Sequence, residues 1–357
     1  MRPFHFAVLF WGDHYREHYF LDCWLRSMMA PGNLPLLRAA DGHKLVIACP
    51  REDWLNLQPS LIPICKHVTP QWVEIDYPTY TTDDNIRTKA IHHQHRWMDV
   101  LLRETHDPSA FGSVNSPDTI VSMRLVERML SWVGHYDCVI CPVLRQSEEP
   151  LLAEIGNKRE LTPRQAAGLS IRHLHRELWP YIEPVHRRMT HAPWRLWRMP
   201  DEGLLIHGFG GLPIFMDYSK VSSDYRAGNI DTCLRTGNFT SCDNIHIVAD
   251  SDEVSIISLT PADAKNYLDF PNEPFSAYRH FYNIRQAWKF HAEDWVREQM
   301  FRTPIRWHEF PITEEWRERE RWIERGLALA ISENPATWLA FDLPRAASPY
   351  IPRRLFG

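Results

Sequence analysis

Phe4-His5-Phe6-Ala7-Val8-Leu9-Phe10-Trp11-Gly12-Asp13 is the stretch that decides the fold class. The density of aromatic and aliphatic side chains from Phe4 to Phe10 predicts a strand, and Trp11-Gly12-Asp13 predicts the turn that ends it. Beyond the turn, Tyr15, Tyr19, Trp24 and Met28 recur near helical spacing, which predicts a helix from about His14 to Met29. Pro31-Gly32-Asn33-Leu34-Pro35 stops it. Lys44-Leu-Val-Ile-Ala-Cys49 reads as a second strand, a helical segment is expected around Leu61 to His67, and Gln71 to Asp76 reads as a third strand. This strand–helix alternation predicts a parallel α/β sheet with right-handed crossovers.

Further along, Thr82-Asp-Asp-Asn offers capping chemistry for a long helix reaching about Glu104. Ala110 to Asn115 is a short strand candidate, followed by a helix from Arg124 to Val133 and a strand from Tyr136 to Val143. Thr162 and Pro163 sit where a cap and a first helical position belong, ahead of a helix to about His173. The Pro-, Trp- and Arg-rich stretch from Trp179 to Pro200 breaks the rhythm. Strands are expected at Gly203 to Ile206, Leu212 to Met216, Ile245 to Ala249 and Val254 to Leu259, with a more antiparallel character. Helices are expected at Ala277 to Met300 and Thr313 to Ser332. The division read from this pattern is an α/β half over 1–160, a half with antiparallel strands over 161–275 and a helical C-terminal region over 276–357.

A chain of 357 residues with 44% hydrophobic and 24% charged residues has the composition of a water-soluble globular protein. A net charge of −5 gives no basic footprint, so no nucleic-acid partner is expected. No apolar run approaches the ~18 residues of a membrane span, and Gly12-Asp13-His14 interrupts the first apolar run too early for a signal peptide. Seven cysteines without framework spacing fit a reducing compartment, and a cytoplasmic location is the expectation. Cys138-Val-Ile-Cys141 has no second Cys-x-x-Cys to complete a zinc site.

The densest acidic motif is Asp250-Ser251-Asp252-Glu253, which follows the strand Ile245 to Ala249. Alternate residues of an extended chain share a face, so Asp250 and Asp252 would point into one pocket and suit Mg²⁺ or Mn²⁺ beside phosphate oxygens. The competing reading is a polar hairpin turn bearing solvated acids. Asp118 stands where the fourth strand should end, and in open α/β sheets ligands bind at the carboxyl ends of strands. Ser122 would cap the next helix and offer its N-terminus to a phosphate, or Asp118 itself would be the cap of a plain turn. Trp11, Gly12 and Asp13 also lie at a strand end, where a loop can touch a base or ribose. Neither Gly-x-Gly-x-x-Gly nor a phosphate-binding Gly-x-x-x-x-Gly-Lys-Ser/Thr occurs, and Gly-x-Ser-x-Gly is missing too.

Among the histidines, His92, His93 and His95 fall in the long helix at spacings poor for one metal. His207 closes a strand ahead of Gly208, Gly210 and Gly211 and is a third metal ligand, a phosphate contact or a hydrogen-bonded strand-end residue. Arg145 follows the strand ending at Val143, placed either to grip a diphosphate or to pair with Glu148 or Glu149.

Trp11-Gly12-x-x-Tyr15 after the first strand, Ala30 to Pro35 after the helix, and Pro117-Asp118 with Ser122 resemble bacterial glycosyltransferase-like proteins of the GT-A type, with the Asp250 to Glu253 block fitting more loosely. The resemblance implies a GT-A-like, Rossmann-like α/β fold with a mixed, mainly parallel sheet. It implies a nucleotide-sugar donor, a saccharide or lipid-linked acceptor of the kind met in polysaccharide biosynthesis, and a divalent cation. Trp11, Gly12, Asp13, Ser122 and Arg145 would bind the donor, Asp118 would contact ribose, sugar or metal, and Glu253 would serve as general base. Asp250, Asp252 and His207 would bind the metal. The pattern departs at Asp118, which Thr119 and Ile120 follow where an Asp-x-Asp is usual. Two other readings therefore stay open: a degenerate transferase fold that binds without catalysis, and a metal-dependent nucleotidyl- or phosphotransferase.

Overall fold

The computed structural model describes residues 2–78, 86–183, 194–208, 210–222, 239, 244–264, 284–289, 292 and 295–332, with the side chains of the helix beginning at Ile86 described from 93 onward. The expected cap at Thr82, the segment 184–193 and the start of the helix expected at Ala277 lie outside the described residues, as does the His92 side chain.

Fourteen strands form three sheets among the described residues. They are β1 (Phe4–Leu9), β2 (Lys44–Cys49), β3 (Thr69–Glu74), β4 (Phe111–Asn115), β5 (Thr119–Val121), β6 (Cys138–Pro142) and β7 (Leu144–Ser147). Then come β8 (Ile182–Glu183), β9 (Arg195–Arg198), β10 (Leu204–His207), β11 (Gly211–Asp217), β12 (Ile245–Ile247), β13 (Ile256–Thr260) and β14 (Ile305–Trp307). The main sheet has seven strands in the order β12-β6-β11-β4-β1-β2-β3. All its neighbours pair parallel except β11, which runs against β4 and β6. The protein is thus a mixed α/β fold with a mainly parallel sheet flanked by helices. β10 joins β9 and β14 in a four-stranded sheet, and β13 lies between β5 and β7 in a three-stranded one.

The alternation within β1 explains its continuous apolar sequence. Phe4, Phe6, Val8 and Phe10 enter one core, and Ala7 and Leu9 enter the other. A parallel strand covered by helices on both faces has no wet side to leave polar. The first core is closed by Phe20 and Trp24 of helix α1 (Tyr15–Leu25, wound as a π-helix and continued by Arg26–Met28) and by Leu57 and Leu61 of α2 (Arg51–Leu61). Met129 and Trp132 of α4 (Leu125–Trp132) complete that layer. The second core receives Met98, Leu101 and Leu102 of α3 (Ile86–Thr105). Helices α5 (Glu148–Ile155) and α6 (Pro163–Arg172) pack near β7 and β13. The helix Glu314–Ile331 sets Trp316, Ile323 and Leu327 against Trp197 and Leu205.

Local chemistry sets several boundaries. Thr162 caps α6 in a capping box, its hydroxyl accepting from Gln165 N–H, with Pro163 at the first position as expected. The helix expected around Leu61 to His67 begins instead at Arg51, and α2 ends as that segment starts. Ser122 does not cap α4. Asn33 does so from across the fold, its Oδ1 accepting from Leu125 N–H at 2.6 Å while Ser122 Oγ accepts from Ser255 N–H.

Candidate functional site

The chain leaves β1 toward β2 and β3 on one side, and β4 pairs with β1 on the other. The carboxyl ends of β1 and β4 therefore flank a topological switch point, where a doubly wound sheet leaves a crevice for a ligand. Trp11, Gly12 and Asp13 follow β1, and Ser116, Pro117 and Asp118 follow β4. The topology therefore sets the loop after β1 beside the loop after β4.

Gly12 has φ +86°, a left-handed conformation that favours glycine, and its Cα faces open space. Its N–H donates to Asp53 Oδ2 at 2.8 Å. Asp53 is fully buried at the start of α2 and also accepts from Arg16 at 2.7 Å and Tyr77 at 3.0 Å. Asp13 is exposed and pairs with Arg16 at 2.8 Å. Trp11 is half-buried, with the His93 ring set edge-on at 5.0 Å. A buried ion pair thus fixes the loop after β1.

Asp118 is half-buried opposite that loop. The Ser116 hydroxyl donates to its Oδ1, and its backbone carbonyl accepts from Leu259 N–H at 2.8 Å. Burial pushes its carboxyl above the ordinary range, and the nearby Glu148 carboxylate adds to the rise, while Ser116 and Arg145 pull it down. Glu148 opens α5. Its Oε1 is 2.6 Å from His18 Nε2 and its Oε2 accepts from the Tyr19 hydroxyl at 2.5 Å. Arg145 is half-exposed near Asp118 and donates to Glu177 at 3.1 Å, rather than pairing with Glu148 or Glu149. Asp118, Glu148, His18, Tyr19 and Arg145 interact as one polar cluster at the switch point.

The Asp250 block stands elsewhere. β12 belongs to the main sheet and β13 to the three-stranded one, so the block is no hairpin turn but the place where the chain changes sheets. Asp250 Oδ1 accepts from Asp252 N–H at 2.9 Å and lies 3.0 Å from His308 Nε2. Burial raises the Asp250 carboxyl, but His308 and the Asp252 N–H outweigh it and hold it low. Burial lowers His308, yet its bonds to Asp250 and to the Phe310 carbonyl raise it overall. Arg164 Nε and Nη2 donate to the two Asp252 oxygens, each at 2.6 Å. Asp250, Asp252 and His308 offer donor atoms within 4.8 Å of one another and could hold a metal ion. The donor set suits a divalent cation, but Arg164 already occupies Asp252 from both oxygens.

This block and Asp118 lie at opposite ends of β13: Asp118 meets Leu259, and the block precedes Ile256. The five residues of the strand keep them roughly 17 Å apart. His207 does not join the block. In the β10–β14 ladder Leu204 faces Trp307 and Ile206 faces Ile305, which puts His207 and His308 at opposite ends, about 13 Å apart. His207 is buried, with Nδ1 2.8 Å from the Phe301 carbonyl and Nε2 2.7 Å from Glu324. Glu253 accompanies His246 of β12 at 2.9 Å and is not among the partners of Asp118.

Sequence reasoning missed His18, Tyr19, Glu148, Asp53, Arg164 and His308. For Glu148 a signal existed, since it follows a strand-like run, but its partners lie 130 and 129 residues away. His308 is 58 residues from Asp250 and has no local motif.

No family model matches the chain, and no curated protein matches it. Among solved structures it is similar to S. aureus TarS 1–349 in complex with UDP, with 8% identity and a TM-score of 0.38, over 96% of this chain and 76% of that one. The same protein in complex with UDP-GlcNAc gives 8% identity and a TM-score of 0.35, over 96% and 77% of the two chains. Longer S. aureus TarS gives 8% identity and a TM-score of 0.33, over 93% and 44%. Among the described residues, no helix is long and apolar enough to cross a membrane.

Proposed function

We propose that this chain is a glycosyltransferase that binds a nucleotide-sugar donor in the crevice between β1 and β4 and passes the sugar to a saccharide or lipid-linked acceptor. The observation that carries this reading is Asp118: a carboxyl group at the switch point of a mainly parallel sheet, held by Ser116, pushed up by burial and facing a second carboxylate, Glu148. A carboxyl kept in so unfavourable a place suits a ligand rich in hydroxyl donors, such as a ribose or a pyranose. The Trp11-Gly12-Asp13 loop would receive the nucleoside. Arg145 would exchange Glu177 for the donor's diphosphate, a bidentate acceptor.

A divalent cation held at the Asp250 turn would stand roughly 17 Å from Asp118, so the charge of the departing diphosphate would be met by Arg145 and the cation would brace the turn. Asp250, Asp252 and His308 are the residues that would hold one, after Arg164 releases Asp252. Asp250 and Asp252 thus keep their expected role in the proposal, with His308 in the place expected of His207.

Thermal-shift titration with a panel of nucleotide sugars, with and without Mn²⁺, tests the reading. The expected result is stabilisation by at least one nucleotide sugar, lost in Asp118→Ala. No response to any nucleotide from the folded wild type would overturn it.

A further inference from the structure

His18 and Glu148 form a dyad that none of the expected roles uses. Glu148 is buried, with a side chain 10% exposed, and each of its oxygens has a different partner. Tyr19 is a fixed donor: burial first, then its bond to Glu148, pushes its hydroxyl far above the ordinary range, so it stays protonated. With Oε2 taken by Tyr19, Oε1 meets His18 Nε2 at 2.6 Å. A carboxylate only accepts, so the short contact places a proton on His18 Nε2. In the neutral ring Nδ1 then carries the lone pair, and it has no hydrogen-bond partner among the described residues. The His18 side chain is 33% exposed, so the ring is not sealed in the core.

The backbone helps to build this arrangement. Helix α1 is wound as a π-helix where it leaves the switch point. Such turns are rare and concentrate at functional sites. His14 stacks on His18 one turn on, with ring centres 5.0 Å apart at 18°, and lies edge-on to Tyr19 at 4.9 Å. The His18 ring is thus oriented by a buried carboxylate on one edge and by a ring stacked on its face. A base oriented by a third group is the geometry that activates a hydroxyl nucleophile.

We infer that His18 is the catalytic proton acceptor of the crevice, with Glu148 its positioning residue and Tyr19 holding Glu148. This rests on the donor-site reading above and moves the general base from Glu253 to His18. As the acceptor hydroxyl oxygen bonds to the anomeric carbon, the bond from that carbon to the diphosphate oxygen breaks and its electron pair leaves with the nucleotide. The hydroxyl proton passes to His18 Nδ1, and the imidazolium formed is paired with the Glu148 carboxylate. The groups that face His18 are Glu148 from α5, and His14 and Tyr19 from its own helix, with Asp118 and Arg145 beyond Glu148.

Two measurements test this. Long-range ¹H–¹⁵N correlation on ¹⁵N-histidine-labelled protein, with His18 assigned from the spectrum of His18→Gln, reads the tautomer without any ligand. The expected form is protonated at Nε2 and bare at Nδ1 above neutral pH. Hydrolysis of the nucleotide sugar that stabilises the wild type then reads the chemistry, with water as acceptor. His18→Gln and His18→Asn should each keep the donor-induced thermal shift and lose about 10²-fold or more in turnover, together with the rising limb of the pH–rate profile. Glu148→Gln should lower turnover and shift that limb while His18 remains. A ring protonated at Nδ1, or wild-type turnover in both folded His18 variants, overturns the inference and leaves the donor site standing. Failure of the wild type to respond to any donor overturns the donor-site reading itself.

Discussion

The crevice at Asp118 and the turn at Asp250 are both acidic, and they differ in how their charge is met. At the turn, the acceptors are matched by the protein's own donors: Arg164 holds both Asp252 oxygens, and Asp250 Oδ1 has His308 and a backbone N–H. At the crevice, two carboxyl groups act on each other, their bonded donors are hydroxyls and a histidine, and the nearest guanidinium is committed to Glu177. Density of acids along the chain is therefore a poor guide to a site. An acid held low by cationic and N–H donors behaves as structure, and an acid raised by burial beside a second carboxyl group invites a ligand.

The sharpest way to break the comparison is to remove one acid from each region. Asp118→Ala should lower donor turnover by about 10²-fold or more, the cost of losing a group aimed at the reacting ligand. Asp252→Ala should stay within about threefold when Mn²⁺ is withheld. Steady-state donor hydrolysis reads both, and the reverse order would invert the assignment of the two regions.

The next effect is on stability. Ser251 is fully buried, its hydroxyl donating to the His308 carbonyl at 3.1 Å and accepting from the His308 N–H at 3.0 Å. Ser251→Ala would leave both groups unmatched and should cost about 1–3 kcal/mol in denaturant unfolding. The same assay should show the opposite sign at the crevice. Asp118 is raised in the folded chain, so folding disfavours its charged form, and this contribution to stability falls as pH rises from the ordinary carboxyl value of 3.8 through the folded value. Asp118→Asn should therefore raise the unfolding midpoint at neutral pH, with the gain fading as the pH drops below 4. A destabilised Asn variant at neutral pH would mark Asp118 as a structural turn residue.

Arg164→Ala should have the smallest effect on the fold. Its pair with Asp252 is exposed on both sides, at 45% and 39%, and such pairs are worth about 0.2–1 kcal/mol. Its use is diagnostic: with the guanidinium gone, calorimetric titration should show tighter Mn²⁺ binding at Asp250, Asp252 and His308. Unchanged Mn²⁺ affinity would mean that Arg164 does not compete for the site.

What the sequence made legible divides along the same line. β1 and β2 were readable because strands buried on both faces have no polar alternation to blur them, and α6 was readable because its capping box is local. α2 was obscured by Pro59, which reads as a breaker yet sits inside the helix. α5 was obscured by Glu148-Glu149-Pro150, which looks like a turn although proline is tolerated in a first turn. Asp118 and the loop after β1 could be found because each ends a visible strand. Their setting could not, since His18 reaches Glu148 across 130 residues and Asn33 caps α4 across 92. The Asp250 motif was visible for the opposite reason: its acids are close in sequence, while the Arg164 that holds Asp252 is 88 residues away.

Hydrogen-exchange mass spectrometry with and without a stabilising nucleotide sugar tests the central claim most directly. Donor binding in the crevice predicts protection over residues 9–19 and 115–122, reduced in Asp118→Ala. Protection confined to 248–256 and 304–310, or none in the crevice segments, would contradict it.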